Sequence, residues 1–132
     1  METVFTLRQT TGYAIDVSHD GWTLRIDLTT RQGGTNTGPG PTDLVPIALA
    51  ACEMMLALLT AKKHGHPLEG VEATVTKQYA TNPSRLGDMR VEVKNVLSQL
   101  PPELHERVRA AIEACPVLQT LKHPPAVHSE VQ

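Results

Sequence analysis

Two cysteines are the residues of this sequence whose side chains could carry covalent chemistry. Cys52 lies inside the apolar run LAACEMMLALL (49–59), directly before Glu53, and Cys115 directly precedes Pro116. They are too far apart in the chain to form a CxxC redox motif or a zinc knuckle. Each lies on the apolar side of a predicted helix, so two helices that cover one sheet could make the sulfurs neighbours. Packing alone also explains both residues, because free cysteine is among the most buried residue types.

The two cysteines are expected to differ in their local electrostatics. Because it precedes Pro116, Cys115 is pushed out of the helical region and is predicted to be the N-cap of a following short helix. Backbone N–H groups and the helix dipole stabilise a negative charge at that position. Cys52 lies in mid-helix, where burial alone raises the pKa of a thiol and leaves it inert. A reactive Cys52 therefore requires a cation from elsewhere in the chain, and the loop before its helix is the expected source.

The elements that must position these cysteines can be predicted from periodicity. Residues 22–29, WTLRIDLT, alternate strictly between apolar and polar side chains, which predicts a half-buried strand with Arg25 and Asp27 on a solvated face. The turn HDG (19–21) before it predicts a hairpin. The predicted strands cover residues 3–8, 13–18, 22–29, 70–80 and 88–96, with a short last strand near 126–131.

A long helix is predicted to carry Cys52. The stretch RQGGTNTGPGP (31–41) predicts a loop, because its glycines and prolines disfavour regular structure. The helix then runs from about Asp43 to His64, with Thr42 as its N-cap and Gly65 as its left-handed stop.

The second half of the chain adds two shorter helices. The segment PPELHERVRAAIEAC (101–115) predicts a helix with Pro102 in its first turn, and Pro116 begins the next helix. No repeat or linker interrupts the pattern. The sequence therefore predicts one α+β domain over residues 1–132, with helices packed on a sheet.

Composition excludes nucleic acid as a partner. The chain has 40% hydrophobic and 20% charged residues, which is ordinary for a soluble globular protein. Only 3% of its residues are aromatic, so no stacking platform for bases is available. The formal net charge of −2 gives no attraction to phosphate backbones.

The apolar run from Leu44 to Ala61 approaches the length of a membrane-spanning helix. Pro46, Glu53 and Thr60 interrupt it, so it is predicted to be a buried core helix, and no membrane partner is expected. The N-terminus METVFTLRQ has no secretory signal pattern, which predicts a reducing, cytoplasmic location where the cysteines are not a structural staple.

No metal or cofactor is predicted. The segments HGH (64–66) and HPPAVH (123–128) match no standard zinc spacing, and helix-end or surface histidines explain them better. The glycine-rich stretch lacks the GK[ST] ending of a phosphate-binding P-loop.

The segments GGTNTGPGPTDLVPIALAAC (33–52) and ACPVLQTL (114–121) together resemble the OsmC/Ohr family of thiol-dependent hydroperoxide reductases. The resemblance covers nearly the whole chain. It implies an OsmC-like α+β fold with N-terminal strands, a long central helix, a β-hairpin, C-terminal helices and a last strand. It also implies a domain-swapped homodimer, in which the N-terminal strands of one subunit complete the sheet of the other.

The resemblance implies a mechanism as well. The Cys52 thiolate attacks an organic hydroperoxide and becomes a sulfenic acid, and Cys115 condenses with it to form an intramolecular disulfide. An external dithiol, such as a lipoyl protein, restores the two thiols. No cofactor is implied.

Further site residues are carried over by the same resemblance. Arg31 corresponds to the arginine that stabilises the thiolate in OsmC-type members. Thr42 stands where the best peroxidases have a glutamate that positions this arginine, and Asp43 is the neighbouring acid. Glu53 stands where an aromatic residue often follows the reactive cysteine. It is either a structural residue that pairs with a lysine or arginine at the dimer interface, or a catalytic residue.

Two functions of different classes follow. The first is a cysteine-based peroxidase that reduces organic hydroperoxides in oxidative-stress defence. The second is a non-enzymatic, dimeric binding or redox-sensing protein that uses the same apolar cleft. Thr42 and Glu53 favour the second, whereas the pair Cys52 and Cys115 favours the first, which is the predicted function.

Overall fold

Three antiparallel strands form a sheet at the N-terminal end of the chain. They are β1 (Thr6–Gln9), β2 (Ile15–His19) and β3 (Trp22–Ile26), in the order β1-β2-β3. The computed structural model describes all of residues 1–132. Its contacts group into two compact units, and this sheet belongs to the first, Met1–Val45. The strands predicted over 3–8, 13–18 and 22–29 are therefore confirmed as elements, with shifted ends.

The turn between β2 and β3 confirms the predicted hairpin. Asp20 and Gly21 both have positive φ angles, of 43° and 84°, as the tight turn of a two-residue hairpin requires. Across the ladder, the hydroxyls of Ser18 and Thr23 lie 2.9 Å apart and share a hydrogen bond on the exposed face.

The longest helix, α1 (Pro41–Lys63), begins in the first unit and continues into the second, Pro46–Gln132. Its predicted start near 43 was late, because a proline suits the first helical position and its missing N–H has no helical partner there in any case. Gly65, with a φ of 82°, is the left-handed residue predicted to end it.

The second unit also contains a long hairpin and two short helices. The hairpin consists of β4 (Glu72–Ala80) and β5 (Arg85–Lys94), and the helices are α2 (His105–Glu113) and α3 (Pro116–Lys122), with a 3-10 turn before α2. The buried aliphatic core of this unit consists of Ala57, Ala61, Leu68, Val96, Leu100 and Val108. This core holds the end of α1 against α2, and α2 leads directly to Cys115.

The prediction of a last strand near 126–131 was wrong. Residues 124–132 carry no regular secondary structure, and every residue from 121 to 132 is exposed. A strand exists only where a second strand pairs with its backbone groups, and none of the five strands of this chain pairs with this segment.

Helix α1 is long and apolar enough to cross a membrane by length and composition. A third of its most apolar window, 33%, is buried within the chain, and a single helix of this kind is equally typical of the core helix of a soluble protein.

Candidate active site around the two cysteines

Cys115 occupies the N-cap of α3, as the sequence predicted. It is fully buried, its backbone is extended with φ −50° and ψ 122°, and Pro116 takes the first helical position. The backbone N–H of Leu118 points at its sulfur, with 3.4 Å between N and Sγ. The proline therefore determines both the end of α2 and the direction of this thiol.

The structure brings Cys52 and Cys115 together. Cys52 lies half-buried in the middle of α1, and both thiols are free. Cys115 and the backbone N–H of Val117 both lie close enough to Cys52 to change the pKa of its thiol, Cys115 upward and Val117 downward. The first turn of α3 thus directs backbone N–H groups toward both sulfurs, of Leu118 toward Cys115 and of Val117 toward Cys52.

Most of the groups around Cys52 oppose its ionisation. Burial raises the pKa of the Cys52 thiol above its usual value of 9.0, and the interaction with the Cys115 thiol raises it further. The nearby charge of Glu53 adds to this, and only the Val117 N–H lowers the pKa. At neutral pH, these groups hold Cys52 as a thiol.

Glu53 lies on the wall of an apolar cavity of about 240 Å³. The cavity is lined by residues of α1, β5, α2 and the segment after β5: Glu53, Val91, Val93, Val96, Leu97, Val108, Arg109 and Ile112. Burial raises the pKa of the Glu53 carboxyl. Arg109 is ion-paired with Glu106, and the lysine or arginine partner of Glu53 at a dimer interface stays a prediction.

Arg31 lies in the first unit, in a 3-10 turn over Thr30–Gln32. Thr29 and Gln32 close this turn, with the Gln32 Oε1 accepting from the Thr29 N–H at 3.2 Å. The Arg31 side chain is exposed, and no group of this chain accepts a hydrogen bond from its guanidinium.

Thr42 and Asp43 lie in the first turn of α1, so the prediction of Thr42 as N-cap was wrong. The helix begins two residues earlier than predicted, at Pro41 and not at Asp43, and Asp43 performs the capping from inside the helix. Its Oδ2 accepts the N–H of Gly40 at 2.9 Å, while its own N–H donates to the Gly40 carbonyl at 3.0 Å. This reciprocal pair connects the end of the glycine-rich loop to the helix that carries Cys52.

The prediction that Asp27 lies on a solvated strand face was wrong. The residue is only 2% exposed, because β3 ends at Ile26 and the chain turns there. Arg25 is exposed as predicted and pairs with Asp16 through contacts of 2.6 and 2.8 Å. The carboxylate of Asp27 instead accepts hydrogen bonds from the loop that follows.

Five donors converge on the Asp27 carboxylate. Oδ1 accepts the Leu28 N–H at 2.7 Å. Oδ2 accepts the hydroxyl and the N–H of Thr35, at 2.6 and 3.2 Å, and those of Thr37, at 2.8 and 3.1 Å. These bonds, those of Thr35 first, hold the pKa of Asp27 far below its usual value despite burial. The signal in the sequence was the pair of threonines flanking Asn36, at the right distance after an acid to wrap around it.

Two glycines allow this loop to lie against the end of β3. A Cβ on Gly34 would lie 2.2 Å from the Leu28 carbonyl oxygen, and one on Gly38 would lie 2.1 Å from that of Arg25. Both contacts are with backbone, which cannot move aside cheaply. The glycines predicted only to break regular structure are therefore required by close approach.

His64, just after α1, contacts a backbone carbonyl and an arginine. The Nδ1 of His64 lies 2.9 Å from the Thr60 carbonyl oxygen, and its Nε2 lies 2.7 Å from an Arg107 guanidinium nitrogen. No group of three or more His, Cys, Asp or Glu side chains is placed to hold a metal ion.

In this α+β chain, a mid-helix cysteine lies beside a second cysteine at a helix N-cap. The chain belongs to the OsmC-like family, since the family model described as OsmC-like protein matches residues 34–130. Both cysteines lie inside this range, and Asp27 and Arg31 lie before it. OsmC-like proteins are soluble, so α1 is consistent with the core helix of a soluble protein.

Solved structures share the fold at low identity. A Psychrobacter arcticus protein named for osmotic stress and the detoxification response has 19% identity and a TM-score of 0.78, with 91% of this chain and 88% of that one covered. An OsmC-like protein from Mycoplasma pneumoniae has 20% identity and a TM-score of 0.72, with 94% and 89% covered. An organic hydroperoxide resistance protein from Legionella pneumophila has 18% identity and a TM-score of 0.61, with 92% and 90% covered. Among curated proteins, no relative matches the chain by sequence.

Proposed function

We propose that this chain is a thiol-dependent peroxidase that reduces organic hydroperoxides in defence against oxidative stress. The observation that carries the proposal is the contact between the Cys52 thiol and the buried Cys115. Two neighbouring reduced cysteines can form a disulfide where their Cβ atoms approach to about 3.5–4.5 Å. Membership of a family with members named for hydroperoxide resistance supports the choice of substrate.

The proposed reaction has three steps. The Cys52 thiolate attacks the distal oxygen of the hydroperoxide, the O–O bond breaks, and the leaving alkoxide takes a proton to become an alcohol. The Cys115 sulfur then attacks the Cys52 sulfenic acid, which forms the disulfide and releases water. An external dithiol, such as a lipoyl protein, reduces the disulfide and is itself oxidised to a disulfide.

Assignment of attack to Cys52 follows from accessibility. Cys115 is fully buried, whereas Cys52 is half-buried and open to a small reactant. A sulfenic acid formed on Cys52 lies beside its resolving thiol, which protects it from further oxidation.

Arg31 is proposed as the cation that ionises Cys52. The groups around Cys52 raise the pKa of its thiol, so attack at neutral pH requires a positive charge nearby. Arg31 has an exposed guanidinium that no group of this chain engages. Asp43 and Thr42, at the end of the same loop, are proposed to support its placement, and the working form is proposed to be a homodimer.

Mass spectrometry of the reduced protein tests the proposal. Stoichiometric cumene hydroperoxide should produce a form lighter by two hydrogens, with a Cys52–Cys115 bridge within one chain. Cys115→Ser should stop at the sulfenic acid and then over-oxidise, whereas Cys52→Ser should leave the peroxide untouched. Peroxide consumption by Cys52→Ser but not by Cys115→Ser would reverse the two roles, and no reaction in any form would exclude a peroxidase.

A second function is favoured by one specific observation. The charge of Glu53, next to Cys52, raises the pKa of the thiol that must ionise, and Glu53 also lines the apolar cavity. A non-enzymatic binding or redox-sensing protein needs a cavity and an oxidisable pair but no fast thiolate. Slow formation of the same disulfide, without turnover when a dithiol is added, would identify this function.

A further inference from the structure

The apolar cavity beside α1 has one acid in its wall, and that acid directly follows Cys52 in the chain. We propose that this cavity binds a compact, uncharged hydrocarbon group, up to about the size of an alkylbenzene, and that the bound group removes the charge of Glu53 and so favours the Cys52 thiolate. Neither Cys52 nor Cys115 lines the cavity, so the ligand is an activator and not the group that is attacked. The inference rests on the proposed function only for the use that the thiolate is put to.

The size and lining of the cavity define the ligand. Its volume of about 240 Å³ exceeds the roughly 150 Å³ of an apolar cavity that binds benzene. It is smaller than the pockets of about 300–1,000 Å³ that hold drug-sized ligands. Six of its eight lining residues are aliphatic, and the other two are Glu53 and Arg109. The molecule that fits is therefore small and apolar, and it carries no charge.

Of the charged groups around the cavity, Glu53 is the one that a ligand changes. On α2, Arg109 is ion-paired with Glu106, and both side chains are exposed. On β5, Glu92 and Lys94 lie on the exposed face of the strand, away from the valines that line the cavity. The segment after β5 contributes only aliphatic side chains to the wall. Filling the cavity therefore leaves these other charges in solvent and acts on Glu53.

Glu53 occupies a core-facing position of α1. Ala57 and Ala61 follow it at intervals of four residues and are fully buried, so the three residues share one face of the helix. The Glu53 carboxyl is half-buried and still reaches solvent, and burial already raises its pKa. A hydrocarbon group that excludes this solvent raises the pKa of Glu53 further, because burial disfavours the charged form of a carboxyl.

The charge of Glu53 connects the cavity to the thiol. This charge raises the pKa of Cys52, so a ligand that neutralises Glu53 lowers the pKa of Cys52. A cavity that is only an imperfection of packing predicts no such connection. An effect of an apolar molecule on Cys52 that depends on Glu53 therefore distinguishes an activating site from an imperfectly packed core.

Alkylation of Cys52 with and without toluene tests the inference. All variants carry Cys115→Ser, so that Cys52 is the one thiol and the midpoint of its iodoacetamide alkylation rate against pH gives its pKa. Toluene, which has no charge, should lower this midpoint by about 0.3–1 unit, and the rate at neutral pH should rise about two- to tenfold. Toluene should not change the midpoint of Glu53→Gln, because that side chain has no charge to lose.

Two further variants test whether toluene acts from the cavity. Val93→Phe fills the cavity with a ring, so toluene should no longer change the midpoint. Ile112→Phe fills the same space from α2 and replaces Val93→Phe if that variant does not fold. Leu86→Phe is the matched control, because Leu86 is a half-buried residue of β5 outside the cavity wall. It should respond to toluene as the parent protein does.

Each outcome supports or overturns the inference. An unchanged midpoint with toluene in the Cys115→Ser parent overturns it, as does an equal shift in Glu53→Gln or in the cavity-filling variant. A slower reaction at every pH with an unchanged midpoint also overturns it, since toluene then only blocks access to the thiol. A midpoint that depends on toluene and Glu53 in a protein that consumes no hydroperoxide leaves the inference standing and removes the peroxidase. Hydroperoxide reduction with a midpoint that toluene does not change has the opposite meaning.

Discussion

At the scale of single residues, most of the groups that act on Cys52 raise the pKa of its thiol and so disfavour the thiolate. Burial, the interaction with the Cys115 thiol and the charge of Glu53 raise its pKa, and one backbone N–H of α3 lowers it. Of these, burial and the contact with Cys115 are inseparable from the formation of the disulfide. The charge of Glu53 has no part in forming the disulfide. A single substitution can therefore remove its contribution to the Cys52 pKa without changing the pair of thiols.

Glu53→Gln should lower the pKa of Cys52. The side chain keeps its size on the cavity wall, and only its charge near the thiol is lost. Because this charge is the smallest of the stated causes, we expect a shift of less than about one unit, equivalent to under about 1.4 kcal/mol. The measurement is the alkylation rate of Cys52 against pH. Glu103→Gln, an exposed acid before α2, is the control that should change nothing. An unchanged curve for Glu53→Gln would mean that Glu53 does not act on the thiol.

Asp27 should also appear in the dependence of stability on pH. Its pKa in the folded protein is lowered from 3.8, so its contribution to the unfolding free energy is complete above that value and is lost as the pH falls through it toward the folded pKa. Urea unfolding at about pH 7 and about pH 3 should show a steeper loss for wild type than for Asp27→Asn. The half-buried Asp16, which has one arginine partner, should contribute less, so Asp16→Asn should follow the wild-type curve more closely. Parallel curves for wild type and Asp27→Asn would contradict the buried, hydrogen-bonded carboxylate.

At the scale of elements, local patterns determined most of what the sequence predicted. Alternation located β3, and Pro116 alone placed Cys115 at a helix N-cap, because both signals act within a few residues. Asp27 was missed because alternation continues past Ile26, where the strand itself ends. The prediction of a last strand was wrong because strand pairing depends on residues far away in the sequence. From the sequence, the proximity of Cys52 and Cys115 could be predicted only as one possibility. The apolar faces of two helices predict which sides pack together, but they do not predict which residues lie opposite each other.

Gly38 provides a test of the loop as an element. Gly38→Ala places a methyl group 2.1 Å from the Arg25 carbonyl oxygen, so the loop or the strand must shift. We expect a loss of about 1–3 kcal/mol in unfolding free energy, as for other overpacked sites. Gly40→Ala is the matched control, because its methyl group would lie 3.3 Å from the movable Asp43 carboxylate. Equal losses in urea unfolding for the two variants would show that the close approach at Gly38 is not what requires glycine.

At the scale of the whole molecule, the surface of α1 is the most informative feature. Ile47, Met55 and Leu59 are 48%, 60% and 64% exposed. They are separated by multiples of four residues, so they form one ridge along the helix. A helix that is apolar on most of its surface is normally buried, and a single chain buries only 33% of the most apolar window of α1. Together with the homodimer that the family resemblance implies, this ridge predicts that a second copy of the chain covers α1.

The ridge can be tested by a charge placed in its middle. Wild type should sediment at micromolar concentration as a dimer, at twice the 14.4 kDa of one chain. Met55→Glu should shift the equilibrium toward the monomer, because a dimer would have to bury an unpaired carboxylate against apolar side chains, which costs several kcal/mol. Leu121→Glu, the same change at an exposed leucine of α3 outside the ridge, should leave the dimer intact.

A wild type that sediments at 14.4 kDa would exclude the dimer, and a Met55→Glu variant that dimerises as tightly as wild type would move the interface away from this ridge. Since the proposed chemistry joins two cysteines of one chain, a monomeric Met55→Glu that still forms the Cys52–Cys115 disulfide would show that the pair of thiols acts without the partner.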